Sequence, residues 1–137
     1  MNADLLAQGW KAHRDAGGFE QHIGPLYARK VEGGLRFGFR AEPQHANNRG
    51  VIHGGMLMSF ADHILGALVW YTVGKKPCAT ASLNCDFVSA ARVGDWVEGQ
   101  AELTRKGRSL VFVRGDLFVA DRVVLSANGI WKVLGAE

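Results

Sequence analysis

The chain has 137 residues, 47% of them apolar, and reads as one globular domain over 1–137 with enough material for a single core. Its formal charge of +3 is a mild basic excess, without the dense basic stripe and interleaved aromatics of bulk nucleic-acid binding. No run has the length of a membrane span, and the start MNADLLAQGW has no basic segment followed by an apolar one. The expectation is a soluble, cytoplasmic protein without nucleic-acid or membrane partners.

Residues 3–15 read as a short amphipathic helix, with Leu6, Trp10 and His13 on one side, stopped by Gly17-Gly18. Residues 26–31 and 35–41 read as a hairpin around Glu32-Gly33-Gly34. In its second arm Leu35, Phe37, Phe39 and Ala41 alternate with Arg36, Gly38 and Arg40. A polar loop over 43–50 leads into a long helix over about 54–73. That helix is apolar nearly all round, which predicts burial on most sides. Gly55, Ser59, Asp62 and Gly66 fall within about 60° of one another on it, opposite Leu57, Phe60, Ile64 and Leu68. The small, polar face admits another backbone or a ligand.

The remainder is strand. In residues 79–87 the positions Ala79, Ala81, Leu83, Cys85 and Phe87 form an apolar face, and Thr80, Ser82, Asn84 and Asp86 a polar one. Strands over 93–104, 109–119 and 123–134 follow, with turns at Lys106-Gly107 and Asp121-Arg122. Short turns predict an antiparallel meander, and the element order predicts an α+β domain whose sheet wraps the long helix. Cys78 and Cys85 are expected on opposite faces of one strand, as unbridged thiols.

The stretch NNRGVIHGGMLMSFAD, Asn47 to Asp62, carries the chemistry. Gly54 and Gly55 at a helix start bare N–H groups of the first turn, where a carbonyl oxygen or an anion can sit. Asp62, a lone carboxylate among apolar neighbours, is costly to bury unless it is paired, hydrated or put to use. An oxyanion site and a carboxylate base or nucleophile are two parts of an acyl-transfer enzyme. Eight residues of helix separate Gly54 from Asp62 by roughly 12 Å, whereas a reacting carbonyl must touch both within about 3 Å. If both serve one site, a second copy of the helix must supply one of them, which implies a two-fold dimer with two shared sites. The other reading of Asp62 is a structural carboxylate at an interface.

His53 fits a ring that bonds the loop backbone and fixes the helix start, and it fits ligand contact as well. A metal site from His45, His53, Asp62 and His63 is disfavoured, because Asp62 and His63 point about 100° apart on a helix. No serine-hydrolase elbow, Walker loop or dinucleotide glycine pattern occurs. Arg105, Lys106 and Arg108 at a hairpin tip form either a solvated basic turn or a phosphate contact.

The pattern N-x-x-G-x-x-H-G-G-x-x-x-x-x-x-D at Asn47, Gly50, His53, Gly54, Gly55 and Asp62 resembles hotdog-fold acyl-CoA thioesterases of the phenylacetyl-CoA thioesterase type. The resemblance extends to CATASLNCDFVSAARVGD and to the K-G-R-S turn at Lys106 to Ser109. It implies a hotdog fold, homodimers joined by edge strands, often homotetramers, interfacial sites, and no cofactor or metal. Carried over by position, Asp62 is the nucleophile or general base and the Gly54 N–H from the other subunit polarises the thioester carbonyl. Asn47 orients the water or thioester, and Thr80 holds the water near Asp62. Gly55, His53 and His63 would border the substrate, and the basic turn would meet the nucleotide end of coenzyme A. Phe60 and His63 depart from the usual residues at their positions, and His63 is expected to alter the pocket. The alternatives are a non-catalytic acyl-CoA-binding protein and a hotdog dehydratase or hydratase. The acyl group is not readable, although Met58, Phe60, His63 and Trp70 are candidates to line its pocket.

Overall fold

The computed structural model describes residues 3–13 and 17–135. Among them, seven strands form one antiparallel sheet: β1 Lys11–Ala12, β2 Tyr27–Val31, β3 Gly34–Arg40, β4 Cys78–Phe87, β5 Trp96–Lys106, β6 Leu110–Val119 and β7 Arg122–Val133. Their spatial order is β1-β2-β3-β5-β6-β7-β4. Two short helices, α1 Ala3–Ala7 and α2 Gly18–Ile23, precede the hairpin, and α3 spans Gly54–Thr72. This is the hotdog arrangement, a curved sheet around one central helix.

The core lies between α3 and strands β4 to β7. Leu57, Phe60, Ile64, Leu65 and Val69 of the helix are buried against Val97, Val111, Val113, Leu117, Leu125 and Trp131 of the sheet. Full burial of each such side chain contributes about 1.5–3 kcal/mol. Gly99 permits the close approach, since a Cβ there would come within 2.7 Å of Ile64 Cδ1.

Three expectations change. The helix expected over 3–15 ends at Ala7; residues 14–16 lie outside the described region. Gly9 takes φ +90°, a left-handed conformation that suits glycine, and the Trp10 N–H donates to Leu5 O. Lys11 and Ala12 then pair with Ala28 and Tyr27, while Trp10 packs edge-on against Trp96. Gly17 does not stop a helix but sits at the start of α2.

The second change is topological. β5, β6 and β7 form the expected meander, but β4 crosses to the far side and pairs with β7, leaving its other edge free. Crossover of a strand leaves no mark in its own sequence.

The third is a matter of parity. The β4–β7 register shifts between Thr80 and Ser82. A bulge of this kind reverses which face the residues before it present. Thr80, though exposed like Ala79 and Ala81, therefore points its hydroxyl towards Asp62 of α3. Cys78 and Cys85 both pack on the core side, not on opposite faces, and both are free.

Candidate active site

The bulge brings Thr80 to Asp62. Thr80 Oγ1 donates to Asp62 Oδ1 at 2.7 Å, and Asp62 is half-buried on the helix face turned towards β4. The lone carboxylate is thus paired, with Oδ2 left for other work. Beside it opens a cavity of about 240 Å³, walled by Phe19, Met58 and Leu83 and bounded by Glu20 and His63.

Gly54 lies elsewhere. A Cβ on Gly54 would sit 3.1 Å from the Phe87 ring, at the far end of β4 from Thr80. Within one chain Gly54 and Asp62 therefore lie against opposite ends of β4. His53 is the N-cap of α3: its Nδ1 accepts from the Gly55 N–H at 2.7 Å. Met56 N–H donates to His53 O, and among the described residues nothing accepts from the Gly54 N–H. One donor of the first turn is left open, at the positive end of the helix dipole.

Removing the cap should be measurable. His53→Ala is expected to destabilise the fold by about 1 kcal/mol in denaturant titrations, and His53→Asn, which keeps an acceptor, by less.

Asn47 shapes the preceding loop. Its Oδ1 accepts from the N–H groups of Arg49 at 2.8 Å and Val51 at 3.3 Å, and Gly50 turns there with φ +76°. Its Nδ2 has no partner among the described residues. His45, weighed above as a metal ligand, is buried and fully engaged. Nδ1 accepts from the Glu42 N–H, so Nε2–H donates to Ile23 O, fastening the end of α2.

His63 faces three groups that no periodicity connects to it. Its Nε2 lies 3.1 Å from His13 Nδ1, its Nδ1 3.9 Å from Glu20 Oε1, and its ring meets Phe37 edge-on. Burial holds its pKa below the usual histidine range; nearby His13 adds to this, while Glu20 and Asp62 oppose it. Phe19 and Glu20 were missed because α2 is too short to show a helical period. A glycine pair serves equally as a stop or a start.

Of the pocket candidates, Met58 and His63 line the cavity. Phe60 is instead fully buried against Phe39, and Trp70 lies near the helix end beside Tyr71. Burial raises the pKa of both Cys78 and Cys85, and the charges of Asp86 and Asp62 add to the effect on Cys85, which suits inert thiols.

Arg105, Lys106 and Arg108 are exposed, with no hydrogen-bond or ion-pair partner among the described residues. The register runs Thr80–Trp131–Val111–Lys106, one row across four strands. At about 4.8 Å per step, Lys106 stands roughly 14 Å from Thr80 along the sheet. Opposed residues share a face, so Lys106 belongs to the helix side and Arg105 to the outer one.

Residues 49–126, more than half of the chain, match the family model described as Thioesterase superfamily. The chain belongs to this family. Among its relatives, a Pseudomonas aeruginosa protein bearing an esterase name is 33% identical over 113 residues, covering 81% of this thioesterase and 84% of the relative. Human acyl-coenzyme A thioesterase 13 is 26% identical over 108 residues, 78% of this chain and 77% of that one. The crystal structure of a phenylacetic acid degradation-related protein from Ralstonia eutropha superposes with a TM-score of 0.78 at 28% identity, covering 95% of this chain and 98% of the other. The protein is a thioester hydrolase of the hotdog fold. Among its described residues no helix is long and apolar enough to cross a membrane.

Proposed function

We propose that this thioesterase hydrolyses acyl-CoA to a carboxylate and free coenzyme A at a site shared by two subunits. The observation that carries the reading is the Asp62–Thr80 pair at one end of β4 with the unpartnered Gly54 N–H at the other. The family name of the human relative supports acyl-CoA as the substrate. A free strand edge ten residues long supports the dimer. Antiparallel pairing of two β4 edges about a two-fold axis puts the Thr80 end of each against the Phe87 end of the other. Asp62 of one subunit then meets Gly54 and Asn47 of its partner.

In that site Asp62 Oδ2 acts on the thioester carbonyl, directly or by taking a proton from a water. The C–O bond forms as the carbonyl π pair moves onto oxygen, where the Gly54 N–H holds the charge. Collapse of the tetrahedral species breaks the C–S bond and releases the thiolate. On the general-base route the thiolate takes the proton held by Asp62, and on the direct route it takes one from water. On the direct route water then hydrolyses the Asp62–acyl anhydride, giving the carboxylate and freeing Asp62. Thr80 keeps the carboxylate oriented, and the Asn47 amide N–H groups hold the water or thioester. Lys106 and Arg108 receive the phosphates.

Free-thiol release from a panel of acyl-CoA thioesters tests the reading; binding without release would assign a sensor instead. Lys106→Ala and Arg108→Ala should raise KM more than they lower kcat, by about threefold to tenfold at low salt and less at high salt. Arg105→Ala should do less. A thioester lacking the nucleotide should not register any of these changes; if it does, the turn acts through the fold.

A further inference from the structure

Charge is unevenly spread along this chain. Residues 70–80, 103–111 and 130–135 hold six of its sixteen lysines and arginines and none of its thirteen aspartates and glutamates. These segments therefore carry +6, and the rest of the chain −3. The fold gathers them at one end of the sheet. Leu134 N–H donates to Pro77 O at 2.9 Å, and Val133 N–H to Ser109 O at 2.8 Å. Lys132 stands opposite both Leu110 and Ala79. Lys75, Lys76, Arg105, Lys106, Arg108 and Lys132 are all exposed there, and so are Trp70, Tyr71, Leu110 and Leu134. Lys75 Nζ lies 5.6 Å from the centre of the Trp70 ring. Apolar side chains set among cations of one sign form a surface for a large anion that has apolar parts of its own.

The nucleotide end of one coenzyme A does not account for this surface. Lys106 lies on the helix side of the sheet and Arg105 on the outer side. Lys132 is on the outer side as well, because Trp131 beside it faces the core. Lys75 and Lys76 belong to a further element, the loop after α3. A nucleotide lies on one face of a sheet, whereas a globular acidic partner that caps the strand ends meets both. This is also the end of β4 where Thr80 holds Asp62. Lys106 stands roughly 14 Å from Thr80 along the sheet. A phosphopantetheine arm, about as long as four or five residues of extended chain, spans roughly 13–18 Å. A membrane fits less well. In the dimer proposed above the two β4 strands run antiparallel, so the basic ends point in opposite directions and one flat surface meets only one of them. Two soluble partners reach both.

We infer that this end of the molecule is the docking surface for an acidic carrier protein, and that the enzyme also cleaves acyl thioesters held on that protein's phosphopantetheine arm. The chemistry is unchanged. The C–S bond breaks and a C–O bond to water oxygen forms, so one water is consumed and the acyl carboxylate, a proton and the carrier's free thiol are released. The inference rests on the reading of Asp62 as the reacting group. It adds a second class of substrate, and Lys75, Lys76 and Lys132 as residues that recognise it and that coenzyme A does not need.

The test compares hexanoyl-CoA with the hexanoyl thioester of a bacterial acyl carrier protein, for wild type and for the triple variant Lys75→Glu/Lys76→Glu/Lys132→Glu. All three lysines are exposed, and circular dichroism checks the fold. Wild type should release thiol from both substrates. In the variant kcat/KM for the carrier thioester should fall by about tenfold or more at low salt, and the loss should shrink at high salt. For hexanoyl-CoA it should change by less than about threefold. Wild type that cleaves hexanoyl-CoA and not the carrier thioester overturns the proposal, and so does a variant that loses both activities alike or neither. If wild type cleaves neither, the functional reading fails separately, and titration with the carrier lacking its acyl group decides the surface. Binding by wild type that the variant loses supports it; no binding, or binding that the variant keeps, overturns it. Sedimentation with phosphatidylglycerol vesicles that the variant loses, while the carrier assay does not register the variant, would assign the surface to a membrane and overturn the carrier.

Discussion

Asp62→Asn should lower kcat by about 10²-fold or more, with the fold intact. Asparagine has the shape of aspartate and still offers an oxygen to the Thr80 hydroxyl, so the contact at 2.7 Å that ties α3 to β4 can persist. What disappears is an oxygen able to attack or to accept a proton. The loss should fall on kcat, because the walls made by Phe19, Met58 and Leu83 are untouched. Stopped assays with hexanoyl- or phenylacetyl-CoA and a parallel thermal melt separate the two effects. A variant that turns over at nearly the wild-type rate would make Asp62 a structural carboxylate.

Activity should return when two dead proteins are mixed. Asp62→Asn and Asn47→Ala homodimers each lack one group in every site, so each should be nearly inactive. In a mixed dimer one site loses both groups and the other keeps both. Random pairing makes half of the dimers mixed, each with one intact site, so co-refolding should restore about a quarter of wild-type activity. A site contained in one subunit leaves a single defect in every mixed-dimer site and restores nothing. Differently tagged chains show that heterodimers have formed. With that established, inactive mixtures would end the shared-site model.

Long periodic elements were legible in the sequence. The apolar run of α3 and the alternation in β6 are strong enough that one residue's exception does not blur them. The Asp62–Gly54 separation also needed only the rise of a helix. What was not legible depends on non-local pairing. The bulge between Thr80 and Ser82 exists because two strands meet with an offset, and β4 alone contains no sign of it. The alternation read from residues 79–87 is therefore right after the bulge and inverted before it. His13 and His63 are fifty residues apart and meet only because β1 pairs with β2 and sets His13 beside α3. At the N-terminus, Gly9 interrupts a pattern too short to distinguish a helix of thirteen residues from one of five.

The two-residue strand β1 has a consequence for assembly. A sheet that grows by edge pairing continues for as long as each newly exposed edge can bind another chain, and that is how fibrils lengthen. Here the two ends of the sheet are unequal: β4 offers ten residues, and β1 offers only Lys11 and Ala12. If two copies join through β4, both ten-residue edges are consumed. Each outer end of the doubled sheet then keeps only β1 and the part of β2 from Arg29 to Val31, an edge carrying Lys11, Arg29 and Lys30. A short edge with three cations is a poor template for a further strand, which works against growth beyond such a pair.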